Sequence, residues 1–409
     1  MRALQRDVLD FFQNPEARRE PTGLYRRLLD RAPVLELGGR TWVVSGYAEI
    51  LELVHSPGVV SDPSAIGIDF GDVFNLADVF AAALPLRAGA DHSRLRKLVS
   101  VSFGARHVAS LGDTIAGIVD ELLAPRLAEG SMDVVADLAT PLPVAVSCAM
   151  LDIPEDERPQ VAEWARLISR SMVKADTAPE DAEALEPAIA SLRDYVDELC
   201  ARRAARPGAD MISALVAARA RGELSDEELF AYVVLLFANG LETLTSGIAV
   251  AVWRVLHDPA LLASLRSRPE TAEAVFNECL RFASPVRAAA RVTRADVHAG
   301  GRRIPAGSAV FLLLAAANRD PRRFPEPDRF DATRTVPHLA FGHGPHHCLG
   351  AALSLLAGGL VLSRVAEHCE NLATPLTEAT APWSTSVVFA GLQSLPVTFT
   401  PTRAAPATV

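Results

Sequence analysis

Residues 341–350 read F-G-H-G-P-H-H-C-L-G, from Phe341 to Gly350. Two chemistries compete for this loop. A structural zinc site would draw on His343, His346, His347 and Cys348, but such sites close with a second ligand pair further along the chain. No second Cys/His pair lies within that reach. The alternative is a lone thiolate. Gly342, Gly344 and Gly350 let the backbone approach a flat cofactor closely. Cys348 stands where the closing helix is expected to begin, near Leu349, and a helix N-terminus stabilises a thiolate.

Working outward, the loop sits in a chain of 409 residues, 49% of them hydrophobic, ample for a large core. There are no repeats, no low-complexity linkers and no break in composition, so one domain over 1–409 is expected. Forty basic against fifty acidic side chains give a net charge of −10. No run of like charges points to nucleic acid or to a polybasic membrane contact. The five cysteines are scattered, without a C-x-x-C pair, which fits a reducing compartment. The N-terminus has no apolar segment of signal length, and Leu349–Leu362 reads as the most apolar stretch, short of the roughly 20 residues of a membrane span. A soluble, cytoplasmic protein is expected.

Helical patterning dominates and strands are minor. Val34–Val44 alternates around Gly38-Gly39 like a tight hairpin. From Pro57 to Gly89 no period is sustained, and a connection of that length usually carries function. Amphipathic helices follow from Asp91 to about Ala220. Ser225 with Glu228 three residues on forms a capping box. The pattern then runs to Asp258-Pro259, roughly 33 residues or about 50 Å of helix. Its centre is apolar all round and therefore buried, apart from Asn239, Gly240, Glu242 and Thr243. Pro269–Phe282 is another helix. Arg291–Phe311 reads as short strands turning at Gly300-Gly301 and Pro305-Ala306-Gly307. Phe324–Asp331 is Pro-rich and irregular.

The loop's signature resembles that of the cytochrome P450 superfamily. The pattern F-x-x-G-x-H-x-C-x-G is met by Phe341, Gly344, His346, Cys348 and Gly350. The resemblance covers nearly the whole chain. It implies a mainly α fold with small β-sheets and a long central helix crossing a buried haem b. It also implies that Cys348 is the axial thiolate, which favours O–O cleavage, that Phe341 shields the sulfur, and that His346 meets a propionate. Glu278 and Arg281 match the family's E-x-x-R pair, some seventy residues ahead of the Cys loop. At i and i+3 they share a helix face. The resemblance makes them a buried structural pair that locks Phe324–Arg334. His92 and Arg96, at i and i+4, read alone as a solvated basic face; the family assigns them to the propionates with Arg291 and His346.

Asn239–Leu244 resembles the oxygen-side motif [A/G]-G-x-[D/E]-T. In that role Thr243 bonds the Asn239 carbonyl, opens the helix locally and handles activated oxygen, while Glu242 assists proton delivery. Asn239 departs from the usual Ala or Gly and is expected to contact substrate or water. After the cysteine, Leu355 and Ala357 replace the Arg and Glu common in bacterial members, so partner docking differs in detail.

The resemblance further implies dioxygen-dependent hydroxylation or epoxidation of a hydrophobic small molecule, with electrons from a ferredoxin and its reductase. No G-x-G-x-x-G follows a strand to bind a nicotinamide or flavin. By analogy of position, Ile66, Ile68, Phe70 and Phe74 line the substrate pocket. Ala238, Asn239 and Leu241 join them from the long helix, and Val286 and Phe389 from elsewhere. Arg287 either pairs with a substrate carboxylate or makes a surface or propionate contact. The chain's likeness to soluble bacterial members further implies a secondary-metabolite substrate, a polyketide or a peptide, and a monomeric enzyme. Aryl coupling, desaturation or use of peroxide in the same fold, and a haem sensor or carrier-protein partner without turnover, are the alternatives; the intact Glu242-Thr243 pair argues against a peroxide-only enzyme and against a binder without turnover.

Overall fold

The structure is a computed structural model and describes residues 1–66, 75–172 and 177–402. It is mostly helical with three small sheets, as the sequence predicts. The described residues form two compact units, one of residues 1–66, 119–139 and 243–402, the other of 75–118, 140–172 and 177–242. Helix α7 spans Gly112–Glu129 and α12 spans Asp226–Leu256.

The first unit holds every strand among the described residues. β1 (Val34–Gly38) and β2 (Thr41–Val44) form a hairpin whose two turn residues are Gly39 and Arg40, at φ 55° and 62°. Both central positions left-handed is the twist a two-residue hairpin needs. The turn is therefore one residue later than Gly38-Gly39. β2 pairs in parallel with β8 (Ala309–Leu312), β8 with β5 (Ala289–Thr293), and β5 with β3 (Val59–Val60). Val34, Trp42, Val44, Val310 and Leu312 of this sheet are buried with Tyr47, Ile50 and Leu53 of α3 (Tyr47–Val54). Val8, Phe11 and Leu28, from α1 (Arg2–Gln13) and α2 (Thr22–Arg31), fill a second core with Leu35 and Val43. β6 (Val297–Ala299) and β7 (Arg302–Ile304) turn at Gly300-Gly301 as expected. β4 (Ser131–Asp133), β9 (Cys369–Ala373) and β10 (Pro396–Pro401) complete the strands.

Helices α13 (Pro259–Ser267), α14 (Ala272–Ala283), α15 (Leu314–Ala317) and α16 (Ala351–His368) belong to the same unit. Pro269 opens a short 3-10 turn ahead of α14 rather than α14 itself. Two glycines let α14 and α16 approach closely. A Cβ on Gly358 would fall inside the Phe276 ring, and one on Gly359 would press the Glu273 backbone at 3.1 Å. That contact fixes the helix carrying Glu278 and Arg281 against the helix that follows the Cys348 loop.

The second unit is all helix among its described residues: α4 (Ala77–Ala82), α5 (Gly89–Ser100), α6 (Ala105–Ser110), α8 (Pro141–Met150), α9 (Arg158–Arg170), α10 (Pro179–Ala205) and α11 (Met211–Ala220). The capping box at the head of α12 is complete. Glu228 accepts from the Ser225 N–H at 3.0 Å, and Ser225 Oγ accepts from the Glu228 N–H at 3.1 Å. The Glu228 carboxylate also receives two bonds from Arg94 of α5, at 2.6 and 3.2 Å. α12 is 31 residues long and is the one helix among the described residues long and apolar enough to cross a membrane. Most of its apolar window, 61%, is buried in protein, as in a core helix.

Candidate functional site

In the first unit the Cys348 loop is shaped by backbone constraint. Gly342 and Gly344 sit at φ 67° and 72°, a region that L side chains resist, and a Cβ on Gly344 would press the Val54 carbonyl at 3.3 Å. The Cys348 N–H donates to the Phe341 carbonyl at 2.8 Å, and the His347 N–H to Gly344 O at 3.0 Å. Gly350 is the N-cap of α16, so Cys348 lies two residues ahead of the helix end rather than in its first turn. Cys348 is exposed, whereas Cys148, Cys200, Cys279 and Cys369 are buried. Burial pushes those four thiols up, Cys148 to about 11 and Cys369 to about 12. Only Cys348 is open to an incoming metal.

Behind the loop lies a polar scaffold. Glu278 and Arg281 are buried and bonded twice, at 2.8 and 2.7 Å. Arg281 also donates to the carbonyls of Asn318 and Pro327, both at 2.9 Å, and of Arg329 at 3.3 Å. Glu278 accepts from the Asp331 N–H at 2.9 Å, and the Arg334 guanidinium lies 3.4 Å away. The irregular stretch 324–334 is thus held by one ion pair. Asn318, fully buried, passes the order on: its Oδ1 accepts from the Leu339 N–H at 2.6 Å, two residues before Phe341. Sequence reasoning missed Asn318, a polar residue in no pattern.

It also missed His338. His338 Nδ1 accepts from the Ala340 N–H, so Nε2 carries the proton and donates to Asn277 Oδ1 at 2.9 Å. The ring packs beside Phe341, centroids 5.7 Å apart. Burial, then the Arg281 charge, lowers its pKa to about 4. A folded pKa below the unfolded one favours unfolding as pH falls, because the unfolded chain takes up the proton first. Stability is therefore expected to decline from about pH 6.5 towards 4, by up to ~1.4 kcal/mol per pH unit from this group. His338→Gln should reduce the proton uptake on unfolding by about one, read from the pH dependence of thermal unfolding; an unchanged slope would contradict it.

Arg291, half-buried on β5, donates to the Ala290 carbonyl at 2.7 Å and makes no ion pair among the described residues, and desolvation draws its pKa down to about 10. A desolvated guanidinium without an internal counterion calls for an anionic group from outside. Arg287 is buried, and its two terminal nitrogens donate to the carbonyls of Arg18 at 2.6 Å and Ser384 at 2.8 Å. The surface role is corrected accordingly: the guanidinium is buried, and the main chain uses both of its terminal nitrogens. Val286 and Phe389 form an antiparallel bridge, and both are half-buried.

In the second unit, His92 is buried on α5, and its pKa is lowered by burial and then by Arg96, one turn on. Ile68, Phe70 and Phe74 lie outside the described residues, as does the side chain of Ile66. Ala238 and Leu241, expected to face a pocket, are packed inside protein at 0% and 4% exposure. Asn239, about 100° around the helix from Ala238, is exposed. With Glu242 and Thr243, three and four residues on, it makes one polar stripe on an otherwise buried helix. α12 runs unbroken through this stripe. Val233–Val234 before it and Ile248–Val252 after it are buried. The Glu242 carboxylate accepts from Ser169 Oγ of α9 at 3.1 Å. Among the described residues no group of three or more His, Cys, Asp or Glu gathers to hold a metal ion.

Comparison with known proteins decides the family. The cytochrome P450 family model matches residues 267–390. The 6-deoxyerythronolide B hydroxylase of Saccharopolyspora erythraea is 32% identical over 387 residues, spanning 91% of this chain and 94% of its own. The chain is a cytochrome P450. The vitamin D(3) 25-hydroxylase of Pseudonocardia autotrophica is 34% identical over 405 residues, with 96% of each chain covered. Among solved structures, P450BioI in complex with acyl carrier protein ligated to hexadec-9Z-enoic acid superposes with a TM-score of 0.85 at 31% identity, covering 94% of this chain and 99% of that one. This P450 is therefore an oxygen-activating oxidoreductase of the monooxygenase class with a haem-iron cofactor. Its own residues fit that cofactor: one exposed cysteine on a glycine-turned loop, and a desolvated arginine awaiting an anion.

Proposed function

We propose that this P450 hydroxylates or epoxidises a hydrophobic secondary-metabolite intermediate, a polyketide or a peptide, as a single cytoplasmic domain that works as a monomer. The cofactor is haem b, with Cys348 as its axial thiolate, Phe341 beside the sulfur, and Gly344 and Gly350 setting the loop. Arg291, His346, His92 and Arg96 serve its propionates. Thiolate-ligated haem iron supplies the activation of dioxygen, one atom of which enters substrate while the other leaves as water. Electrons come from a ferredoxin and its reductase.

The observation that carries this reading is the exposure of Cys348 while the other four cysteines are buried and inert. The polar stripe on α12 supplies the rest. Thr243 offers a hydroxyl at the reacting oxygen, Glu242 moves protons through Ser169, and Asn239 holds substrate or a water. The macrolide-type hydroxylase among the relatives supports the substrate class.

Reconstitution with ferredoxin, reductase and labelled dioxygen tests the proposal. One labelled atom per product molecule is expected from a polyketide or peptide panel, and label recovered only in water would contradict it. Asn239→Ala is expected to shift substrate affinity by about 3- to 10-fold, the worth of one hydrogen bond, or to redistribute products. Unchanged binding titrations and unchanged coupling would retire that contact.

A further inference from the structure

The segment 383–391, W-S-T-S-V-V-F-A-G, has almost no secondary structure of its own, yet its position is heavily specified. Arg287 donates to the Ser384 carbonyl through its guanidinium, and its N–H donates to the Val388 carbonyl at 2.8 Å. Arg18, also buried, donates to the next carbonyl, Thr385, and to those of Phe11 and Phe12 at 3.0 and 3.1 Å. The two arginines are joined, because Arg287 also bonds the Arg18 carbonyl. Within the segment, Ser384 Oγ donates to Phe389 O, and Ser386 Oγ accepts from the N–H groups of Val388 and Phe389. The Ala390 N–H closes the far end on the Pro285 carbonyl at 2.8 Å.

We infer that Arg18 and Arg287 are positioning residues for substrate discrimination: they staple residues 384–385 and so fix where Phe389 stands beside Val286. This rests on the reading that Val286 and Phe389 line the substrate pocket. An apolar clamp would bury the segment without fixing its register. Directed donors to two successive carbonyls fix it, at the expense of desolvating two guanidiniums. The arginines never touch substrate. They act through the ring of Phe389, so their influence grows with the size of what must pass that ring.

The test uses haem-loaded protein and two iron-ligating probes of different bulk, imidazole and econazole, in binding-spectrum titrations. Arg287→Ala is expected to leave imidazole affinity within about twofold and to change econazole affinity by about tenfold or more. Phe389→Ala should change econazole affinity too, and the double variant should go no further than Phe389→Ala alone. If Arg287→Ala does not accumulate as folded protein, Arg287→Lys takes its place, since an ammonium keeps the charge without the fork that spans two carbonyls. Econazole affinity that responds to Phe389→Ala but not to the Arg287 variant overturns the inference and leaves the pocket reading standing. No response to Phe389→Ala removes the pocket reading and the inference with it. Parallel loss of both probes shows a merely structural arginine and also overturns it.

Discussion

Arg281→Ala is expected to yield a protein that folds poorly and does not retain haem. The substitution leaves the buried Glu278 carboxylate with only the Arg334 guanidinium, 3.4 Å away, and breaking a buried pair typically costs about 3–5 kcal/mol. It also strips donors from the carbonyls of Asn318 and Pro327, each worth about 1–3 kcal/mol when left unsatisfied in the interior. The sum rivals the whole stability of a typical domain. The usual remedy of replacing both partners by apolar residues should fail here. Glu278 also serves the Asp331 N–H and Arg281 serves three carbonyls, so a Glu278→Leu/Arg281→Leu pair orphans the main chain of residues 318–331. Thermal unfolding and haem content after purification check this. A single variant that keeps haem and loses under about 1 kcal/mol would contradict it.

Thr243→Ala and Glu242→Gln are expected to separate oxygen consumption from product formation. Both variants keep the Cys348 loop, so the haem-thiolate spectrum should be unchanged. Each removes a group from the polar stripe of α12. Positioned acid–base groups contribute roughly 10²- to 10⁴-fold, and product formation should fall by about the lower of these while reductant is still consumed. Glu242→Gln keeps a hydrogen-bonding amide near Ser169 Oγ but cannot carry a proton, so its deficit should come with an enlarged solvent isotope effect. Reductant consumption and product yield that stay matched in both variants would remove the stripe from the chemistry.

Much of this was legible in the sequence, for identifiable reasons. The Cys348 loop and the capping box at Ser225 are local: glycine conformations and i,i+3 bonds depend on neighbours in the chain. The hairpin slipped by one residue because Arg40, not a turn former, takes a left-handed conformation that composition does not announce. Arg287 was misread because its partners, the carbonyls of Arg18 and Ser384, lie about 270 and 100 residues away and belong to the main chain, which carries no sequence signal. Asn318 and His338 were missed for the same reason. Asn318 satisfies the backbone of Leu339, and His338 bridges the Ala340 N–H to the Asn277 side chain, and only the fold shows these partners. On α12 the periodicity placed the polar stripe, but a rotation of one residue separates exposed Asn239 from buried Ala238, finer than an analogy of position can resolve.

The account stands or falls on the sulfur of Cys348. The reduced, carbon monoxide-bound absorption spectrum of the purified protein, recorded beside that of Cys348→Ser, tests it most directly. The red-shifted Soret band of a thiolate-ligated haem in the native protein, absent from the serine variant, is predicted. A colourless protein that takes up no iron porphyrin, or a serine variant with the same band, would contradict it.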